Sequence, residues 1–247
     1  MVDLSTSCVA HWKTNDNTAN TIVVDDSGYS NDGAASENTD QMHVDGKING
    51  GLYFDDSLHR YVQVPDDDSL SFLGEFSISF EVKRESANHI GAVLCKSTTS
   101  NQEYLVTFNS DNLTVMLYDG ADASNYIGAY VIHESANWTH VMITYDDSKI
   151  WTGIKIYFNN VEQTTFAITA GTFTGMGNKG AKVQIGRFAY YALEFHGIID
   201  NVILFKDHVL TADERAFLYN HGYGTESLKS CARPLVNGSL VGKGLLG

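Results

Sequence analysis

Cysteine and proline are both scarce in this sequence, which has three cysteines and two prolines among 247 residues. Cys8, Cys95 and Cys231 are too few and too widely spaced for a disulfide framework or a zinc motif, so we expect free thiols in a reducing compartment. Pro65 and Pro234 mark no Pro/Ser-rich linker through the middle of the chain. The sequence therefore predicts one large domain rather than two that are joined by a linker.

Basic residues and long apolar runs are scarce as well. Sixteen Lys and Arg against thirty Asp and Glu give a formal net charge of −14, and such an acidic surface repels nucleic acid and anionic membranes. No apolar run approaches the ~20 residues of a membrane-spanning helix. The N-terminal MVDLSTSCVAHWK has neither a basic start nor an apolar segment, so it predicts no signal peptide. We expect a protein made in the cytoplasm, with no nucleic-acid partner and no membrane insertion.

The strongest positive signal is the alternation of apolar and polar residues. In FSISFEVK, residues 76–83, every second residue is apolar, which is the period of a strand with one buried face. Ser77, Ser79 and Glu81 are then expected on the face opposite the core. Seven further segments alternate in a similar way, namely 60–64, 103–108, 113–118, 139–145, 153–158, 161–168 and 182–187. So many short strands, with almost no helix between them, predict a two-sheet antiparallel sandwich.

Two local motifs add detail to this fold. Asn159-Asn160 in IYFNNVEQT supplies the two-residue turn of a β-hairpin. In LTADERAFLYNHG, residues 210–222, Thr211 and Glu214 have the spacing of a capping box, and Gly222 is expected to end the helix. This short helix near the C-terminal end is the only one that the sequence predicts.

Several stretches in this order resemble the laminin G-like, concanavalin A-like jelly-roll family. They are VAHWK, VDGKINGGLYFDDSLHRYVQVPDDDSLSF, FSISFEVK, NWTHVMITYDD, IKIYFNNVEQ and FHGIIDNVILFKDHVLTADERAFLY. The resemblance implies an all-β, two-sheet antiparallel jelly-roll sandwich with one short C-terminal helix. An extended C-terminal tail lies outside the resemblance. We divide the chain into a domain, residues 1–228, and the tail, residues 229–247. The core is expected to contain Phe76, Ile78, Phe80, Trp138 and Val202.

The acidic segment DDSGYSNDG, residues 25–33, is a candidate cation site. Ca²⁺ prefers several oxygen ligands, but the same residue types also favour a plain turn. The segment lacks the D-x-D-x-D-G spacing of a self-contained calcium loop, so an ion would have to be shared with another element. The resemblance implies that Asp200 in HGIIDNV supplies a further carboxylate. Strand alternation places Asp200 on one face with Ile198 and Val202, where an uncompensated carboxylate is costly.

The expected ion at this site is Ca²⁺, and its expected ligands are Asp25, Asp26, Asn31, Asp32 and Asp200. The alternative is that Asp200 accepts backbone N–H bonds from a loop and that residues 25–33 form only a turn.

Exposed aromatic residues are the second candidate feature, because sugar rings stack on aromatic side chains while polar groups fix their hydroxyls. The candidates are Tyr126, Tyr130, Trp151, Tyr190 and Tyr191. In YYALEF the adjacent tyrosines would point to opposite faces of a strand, so at least one should be exposed. A place in the core or at its rim is the alternative for each of them.

Catalytic patterns are not found in the sequence. It lacks the E-x-D-x-x-E carboxylates of the glucanase branch, a G-x-S-x-G elbow and a phosphate-binding loop. His140 lies in the W-x-H segment of the resemblance, where packing in the core is its natural role. The fold alone does not define function, because it hosts lectins, adhesion modules, virion proteins and polysaccharide-active enzymes.

The C-terminal tail has three aliphatic pairs, which are Leu235-Val236, Leu240-Val241 and Leu245-Leu246. It is either a frayed terminus or an assembly arm that docks on a neighbouring chain. We expect a non-catalytic binding or structural module, exposed as a decoration or adhesion component of a larger assembly such as a virus particle. Its partners would be other chains of that assembly and surface glycans. The alternatives are a free carbohydrate-binding lectin domain and a polysaccharide-active enzyme.

Overall fold

The computed structural model describes residues 1–98 and 100–230. The six predicted assembly residues, Leu235, Val236, Leu240, Val241, Leu245 and Leu246, lie outside this described part of the chain. Of the predicted tail, Lys229 and Ser230 are described. They pair with Asp3 and Val2 of the same chain, through a β-bridge and a backbone hydrogen bond of 3.0 Å respectively.

The described residues form nineteen strands, and most of them correspond to the alternating segments. These are β1 Cys8–Trp12, β2 Ile22–Val23, β3 Gly33–Ala35, β4 His43–Asp45, β5 Gly50–Phe54, β6 Val62–Val64, β7 Phe76–Arg84, β8 Gly91–Ser97, β9 Gln102–Asn109, β10 Asn112–Tyr118, β11 Tyr126–Ile132, β12 Thr139–Tyr145, β13 Ile154–Phe158, β14 Val161–Glu162, β15 Phe166–Ala170, β16 Val183–Ile185, β17 Arg187–Phe188, β18 Leu193–Glu194 and β19 Gly197–Lys206.

The strands form two large sheets in which every registered pair is antiparallel. One sheet has the order β14-β13-β12-β7-β19-β5-β4, and β1 also pairs with β19. The other has nine strands in the order β15-β11-β10-β9-β8-β16-β6-β3-β2, and β17 and β18 form a separate small hairpin. The predicted all-β, two-sheet antiparallel sandwich is therefore confirmed.

The main hydrophobic core lies between the two sheets, and four of the five predicted core residues belong to it: Phe76, Ile78, Phe80 and Val202. Trp138 is only partly buried, so its assignment to the core is wrong. It precedes β12 and lines a small cavity beside His140 and Tyr219. Because Trp138 lies outside the strand, the alternation of side chains along β12 does not determine which way it points.

Helical structure is limited to two α-helices and five short 3-10 helices in the described residues. The α-helices are α1 Thr39–Met42 and α2 Ala212–Tyr219, and the 3-10 helices are Asp56–Leu58, Asp68–Leu70, Trp151–Gly153, Ala189–Tyr191 and Asn220–Gly222. The capping box of Thr211 and Glu214 is confirmed, whereas the single turn of α1 was not predicted. Helix α2 ends before Gly222, because Asn220 already takes a left-handed conformation with φ of 46°.

The hairpin at Asn159-Asn160 is confirmed, with positive φ values of 51° and 64° as a two-residue turn requires. The following strand was predicted to run without interruption from 161 to 168. It is instead two strands, since β14 pairs with β13 in one sheet and β15 pairs with β11 in the other. The chain crosses from sheet to sheet in the three residues between β14 and β15.

The outer face of β7 is buried, although its residues are polar. Ser77, Ser79 and Glu81 lie on the face opposite the core, as predicted, yet each is at most 2% exposed. Ser77 Oγ donates to the His208 carbonyl at 2.8 Å and accepts from the Leu210 N–H at 3.0 Å. The segment that leads into α2 therefore supplies both hydrogen bonds of Ser77, whereas Ser79 Oγ lies 2.8 Å from His140 Nε2.

Strand β19 contains a bulge that changes which residues face the core. Asn201 has φ of 51°, and the register with β7 shifts between Asp200 and Ile203. Ile199 and Val202 consequently both enter the core. The prediction that Asp200 shares a face with Val202 is wrong, because a bulge residue resets the alternation.

Candidate functional site

The outer face of the nine-stranded sheet carries an apolar row of side chains. The row crosses β8, β9, β10, β11 and β15 through the register partners Cys95, Leu105, Met116, Gly128 and Ile168. Because successive strand residues point to opposite faces, these side chains lie away from the main core. An outer sheet face that is apolar in this way needs a cover or a ligand.

The hairpin of β17 and β18 forms one wall above this row. Its Phe188 is fully buried and packs with Cys95, Leu105 and Tyr118 in a satellite hydrophobic cluster. The 3-10 turn that joins the two short strands carries Tyr191, whose exposed fraction is 61%. A buried aromatic residue thus fixes the hairpin, and an exposed one extends from it.

A second wall is the turn at 119–125, which Asp119 holds in place. Its carboxylate accepts from the Ala121 N–H at 2.8 Å and from Thr174 Oγ at 2.7 Å. Burial raises the pKa of Asp119, but the hydrogen bonds from Thr174 and the turn outweigh burial and hold the pKa well below its usual range. The ionised carboxylate is therefore a stable anchor for this wall.

An open groove of about 580 Å³ lies between the two walls. Its lining residues are apolar, aromatic or uncharged polar: Ile90, Gln102, Leu105, Thr107, Asn109, Thr114, Met116, Tyr118, Ala123, Tyr126, Ile168, Phe188, Tyr191 and Leu193. None of these described lining residues carries a charge. The groove thus combines ring faces with hydroxyl and amide groups.

Two of the five predicted sugar-stacking residues, Tyr126 and Tyr191, line this groove. Tyr126 also contacts Tyr118, with ring centroids 5.9 Å apart in an edge-to-face arrangement. The structure therefore brings together two aromatic residues that are 65 positions apart in the sequence.

The other three lie outside the groove lining. Tyr130 stacks on Phe166, with ring centroids 5.3 Å apart. Tyr190 packs beside Tyr191 at 4.3 Å between ring centroids, and Trp151 is partly buried against the main core.

The segment YYALEF is not the strand that the sequence predicted. Tyr190 and Tyr191 occupy a 3-10 turn and are 42% and 61% exposed. Ala192, with φ of 50°, then turns the chain back into β18. Both tyrosines therefore lie at a hairpin tip, where the alternation of faces along a strand does not apply.

The loop 25–33 is organised around the Asp25 carboxylate. Asp25 Oδ1 accepts from the backbone N–H groups of His11 at 2.8 Å and Ser27 at 2.9 Å. Oδ2 accepts from Ser27 Oγ at 2.7 Å and the Asn31 N–H at 2.9 Å. Four protein donors thus occupy the carboxylate in the way that an Asx turn does.

The remaining predicted ligands in this loop have separate contacts. Asp26 forms an ion pair with Lys13 at 2.5 Å. The Asn31 amide donates to the Val9 carbonyl at 2.9 Å, and Asp32 Oδ1 accepts from the Asp25 N–H at 2.8 Å. Calcium binding here remains a prediction from the sequence.

Comparison with known proteins identifies the family. Residues 55–214 match the Laminin_G_3 profile of the concanavalin A-like lectin/glucanases superfamily. The chain belongs to this family. No curated protein sequence matches it.

Solved structures with this concanavalin A-like fold include a carbohydrate-bound domain and toxin binding domains. Domain 4 of AbnA, a GH43 extracellular arabinanase from Geobacillus stearothermophilus solved with arabinotriose, has a TM-score of 0.61 at 18% identity, over 89% of this chain and 98% of that one. The binding domain of Paraclostridial Mosquitocidal Protein 1 has a TM-score of 0.65 at 16% identity, over 88% and 52%.

A structure of botulinum neurotoxin type C has a TM-score of 0.63 at 16% identity, over 88% of this chain and 51% of that one. The chain thus spans about half the length of the two toxin structures. Identities this low show a shared fold.

Asp200, the aspartate of HGIIDNV, is fully buried. Asp200 Oδ2 accepts from the Ile48 N–H at 2.8 Å, and Oδ1 lies 3.4 Å from Thr14 Oγ. The alternative reading of Asp200, as an acceptor of backbone N–H bonds from a loop, matches these contacts. Burial raises the pKa of Asp200 to about 7.

Three titratable residues, His140, Glu81 and Asp200, form a row on the outer face of the eight-stranded sheet that contains β12, β7 and β19. Glu81 is the register partner of both His140 and Asp200. Burial lowers the pKa of His140 to about 3, and its ring stacks on Tyr219 with centroids 6.0 Å apart. His140 is therefore a neutral, packed residue, but it packs beneath α2 rather than in the main core.

The sequence did not predict the groove floor. Leu105 and Met116 face outward from β9 and β10, while Val106 and Val115, their neighbours, are in the main core. Both faces of these strands are thus apolar. Consecutive apolar residues in β9 and β10 could have indicated this floor. An antiparallel sheet with one face in solvent shows polar residues on that face.

In the described residues, no helix is both long enough and apolar enough to cross a membrane.

Proposed function

We propose that this chain is a non-catalytic glycan-binding module whose site is the groove on the nine-stranded sheet. The observation that carries the proposal is the groove itself, an apolar row flanked by Tyr126 and Tyr191 and edged by uncharged polar side chains. Its volume of about 580 Å³ is in the range of small-molecule sites, roughly 300–1,000 Å³.

The side chains in the groove supply both kinds of contact that a sugar needs. Tyr191 offers an exposed ring for stacking against the apolar face of a pyranose or furanose. Gln102, Asn109 and Thr114 offer amide and hydroxyl groups that can donate to and accept from sugar hydroxyls. Polar groups of this kind fix the orientation of a ligand that the rings hold.

Charge favours a neutral glycan over an anionic one. The lining lacks Lys and Arg among its described residues, and the formal net charge of the chain is −14. A sialylated or sulfated sugar would meet this negative field without a basic partner. We therefore propose a neutral oligosaccharide as the ligand.

Two structural relatives support binding rather than catalysis. The arabinanase domain was solved with arabinotriose, and cell entry of botulinum neurotoxin type C depends on interaction with two ganglioside molecules. Both statements concern those proteins. Of the two, the neutral arabinotriose corresponds better to an uncharged groove.

Calorimetric titration with a panel of neutral oligosaccharides, including arabinotriose, tests the proposal. We expect at least one to bind, and Tyr126→Ala or Tyr191→Ala to weaken its Kd at least about tenfold, equivalent to about 1.4 kcal/mol. Tyr223→Ala is the matched control, because Tyr223 is 77% exposed and lies outside the groove lining.

An equal loss of affinity in all three variants would refute the groove as the site. Binding of a sialylated glycan but of no neutral sugar would refute the ligand class. Release of reducing ends during the incubation would refute the non-catalytic role.

A further inference from the structure

Asp56, His89 and His196 converge from three separate segments. Asp56 begins a 3-10 helix after β5, His89 lies in the turn between β7 and β8, and His196 lies between β18 and β19. All three side chains are partly buried, and one potential ligand atom from each lies within 4.8 Å of the other two. We propose that these residues form a binding site for a late first-row divalent metal ion such as Zn²⁺.

The distances correspond to a site that closes on an ion with small side-chain movements. Nδ1 of His196 lies 2.8 Å from Asp56 Oδ1, and Nδ1 of His89 lies 4.0 Å from Asp56 Oδ2. Two ligands of a tetrahedral zinc ion, with bonds of about 2.0–2.1 Å, are about 3.3 Å apart. The two distances involve different oxygens of the Asp56 carboxylate, and each differs from this value by less than about 1 Å.

The hydrogen bonding of His89 fixes its tautomer. Its Nε2 lies 2.8 Å from the carbonyl oxygen of Glu194, and a carbonyl can only accept. Nε2 therefore carries the proton, and in the neutral ring Nδ1 presents its lone pair to Asp56. Two acceptors that face each other across 4.0 Å favour a cation between them.

His196 has an outer partner that suits a metal ligand. Its Nε2 lies 2.8 Å from the Tyr53 hydroxyl, which can either donate or accept. At 2.8 Å from Asp56 Oδ1, Nδ1 donates to the carboxylate, because a carboxylate can only accept. Metal binding would shift the ring to its other tautomer, in which Nε2 donates to Tyr53 and Nδ1 binds the ion beside Asp56. Both histidines thus have a partner for the second ring nitrogen, which is the arrangement that orients most metal-binding histidines.

The ligand set selects the class of ion. Two imidazole nitrogens and one carboxylate suit zinc and its neighbours, whereas Ca²⁺ and Mg²⁺ prefer oxygen ligands alone. Three protein ligands leave at least one coordination position for water. The competing explanation is that His196 Nδ1 donates to Asp56 Oδ1 at 2.8 Å and that no metal is bound.

The site lies next to one wall of the groove. His89 precedes Ile90, and His196 follows the hairpin residue Leu193 by three positions; Ile90 and Leu193 both line the groove. A bound ion would connect the loops around this hairpin. Metal binding does not depend on the glycan proposal, so the two can fail separately.

Thermal melts and calorimetric titration of the chelator-treated protein with Zn²⁺ test the site. We expect one ion per chain and, at 100-fold excess over Kd, a rise in Tm of roughly 5–10 °C. Ca²⁺ and Mg²⁺ should not reproduce this rise. His89→Gln and His196→Gln should each remove most of it.

His208→Gln is the control, because His208 is partly buried and paired with Glu214 but belongs to a different part of the fold. It should keep the full response to Zn²⁺. An absent response in wild type would leave the hydrogen bond of His196 to Asp56 as the explanation and overturn the proposal. An unchanged response in both His89→Gln and His196→Gln would overturn it too. If a variant has a low Tm, calorimetric titration below that temperature still measures how many Zn²⁺ ions it binds.

Discussion

Glu81 and Asp200 are register partners on β7 and β19, and both carboxyl groups are buried. Burial raises the pKa of Glu81 from 4.5 to about 8. The charge of Lys47 partly offsets this rise, and the charge of Asp200 adds to it. Glu81 Oε2 has no hydrogen-bond partner among the described residues. The pair is therefore held in a setting that favours the protonated forms.

This pair predicts a stability that falls as pH rises. Between about pH 4 and 8 the folded chain holds more protons on Glu81 and Asp200 than the unfolded chain does. Their contribution to the unfolding free energy is therefore complete below this range and is lost as the pH rises across it. Relative to wild type, Glu81→Gln should gain up to about 1.4 kcal/mol of unfolding free energy per pH unit across this range.

Urea denaturation at about pH 5, 7 and 9 checks this prediction. Glu134→Gln, at an exposed position, is the control and should show a constant difference from wild type. A difference between Glu81→Gln and wild type that is also independent of pH would contradict the prediction.

Lys96 is fully buried and lies 2.6 Å from both Asp66 and Glu103. Lys96→Met should lower the unfolding free energy by about 3–5 kcal/mol, because the buried Glu103 then lacks its counter-charge. The double variant Lys96→Met, Glu103→Leu should recover part of this loss. Denaturant titration of the two variants measures both effects, and a double variant that is no more stable than Lys96→Met would contradict the prediction.

Gly128 lies beneath Ile168 in the groove floor. A Cβ atom there would lie 2.6 Å from the Val115 carbonyl and 2.8 Å from Ile168 Cγ2. Gly128→Ala should therefore lower the unfolding free energy by about 1–3 kcal/mol. Gly74→Ala, whose Cβ meets only Asp207 Oδ1 at 3.6 Å, should change it by less than about 0.5 kcal/mol. Equal effects in chemical denaturation would show that the close contacts relax freely.

Asp25→Ala should destabilise the fold even when a chelator is present. The change leaves the N–H groups of His11 and Asn31 without their acceptor, at about 1–3 kcal/mol for each buried donor. Asp26→Ala breaks only a surface ion pair with Lys13 and should cost about 0–1 kcal/mol. Thermal melts in the presence of a chelator measure both losses. Melts with added Ca²⁺ test the predicted ion, which should raise the Tm of wild type and not that of Asp25→Ala.

The assembly role rests on the aliphatic pairs of the tail and stays a proposal from the sequence. Deleting residues 231–247 should leave the Tm nearly unchanged and abolish association with partner chains, which light scattering and thermal melts can measure. A lower Tm would instead indicate that the tail packs on its own domain. Unchanged stability and association would leave the assembly proposal without support.

The sequence predicted those features that depend on short-range patterns. Alternation identified β7 and the side chains that it directs into the main core, and the spacing of Thr211 and Glu214 identified the start of α2. The groove depends on register, since Tyr126 and Tyr191 meet only because a hairpin folds over the sheet. The bulge at Asn201 was hidden for a related reason. A left-handed residue resets the alternation without changing the local composition.

The cluster of Asp56, His89 and His196 could not be predicted from the sequence either. Each residue comes from a different connection between strands, so their separation along the chain follows no ligand spacing. Only the antiparallel packing of β19 between β5 and β7 brings the three connections to one place.

One short segment, β14 together with β15, forms the last strand of each large sheet. Val161 and Phe166 within it are 61% and 45% exposed. Phe166 stacks on Tyr130, but the segment as a whole is less buried than β13 and β11 beside it. If it detaches, β13 and β11 lose their outer partners in the same event, and two rows of unpaired backbone groups become available to another chain. Self-association through strand addition should therefore begin on this side of the molecule, and proteolytic nicking between residues 162 and 166 should accelerate it.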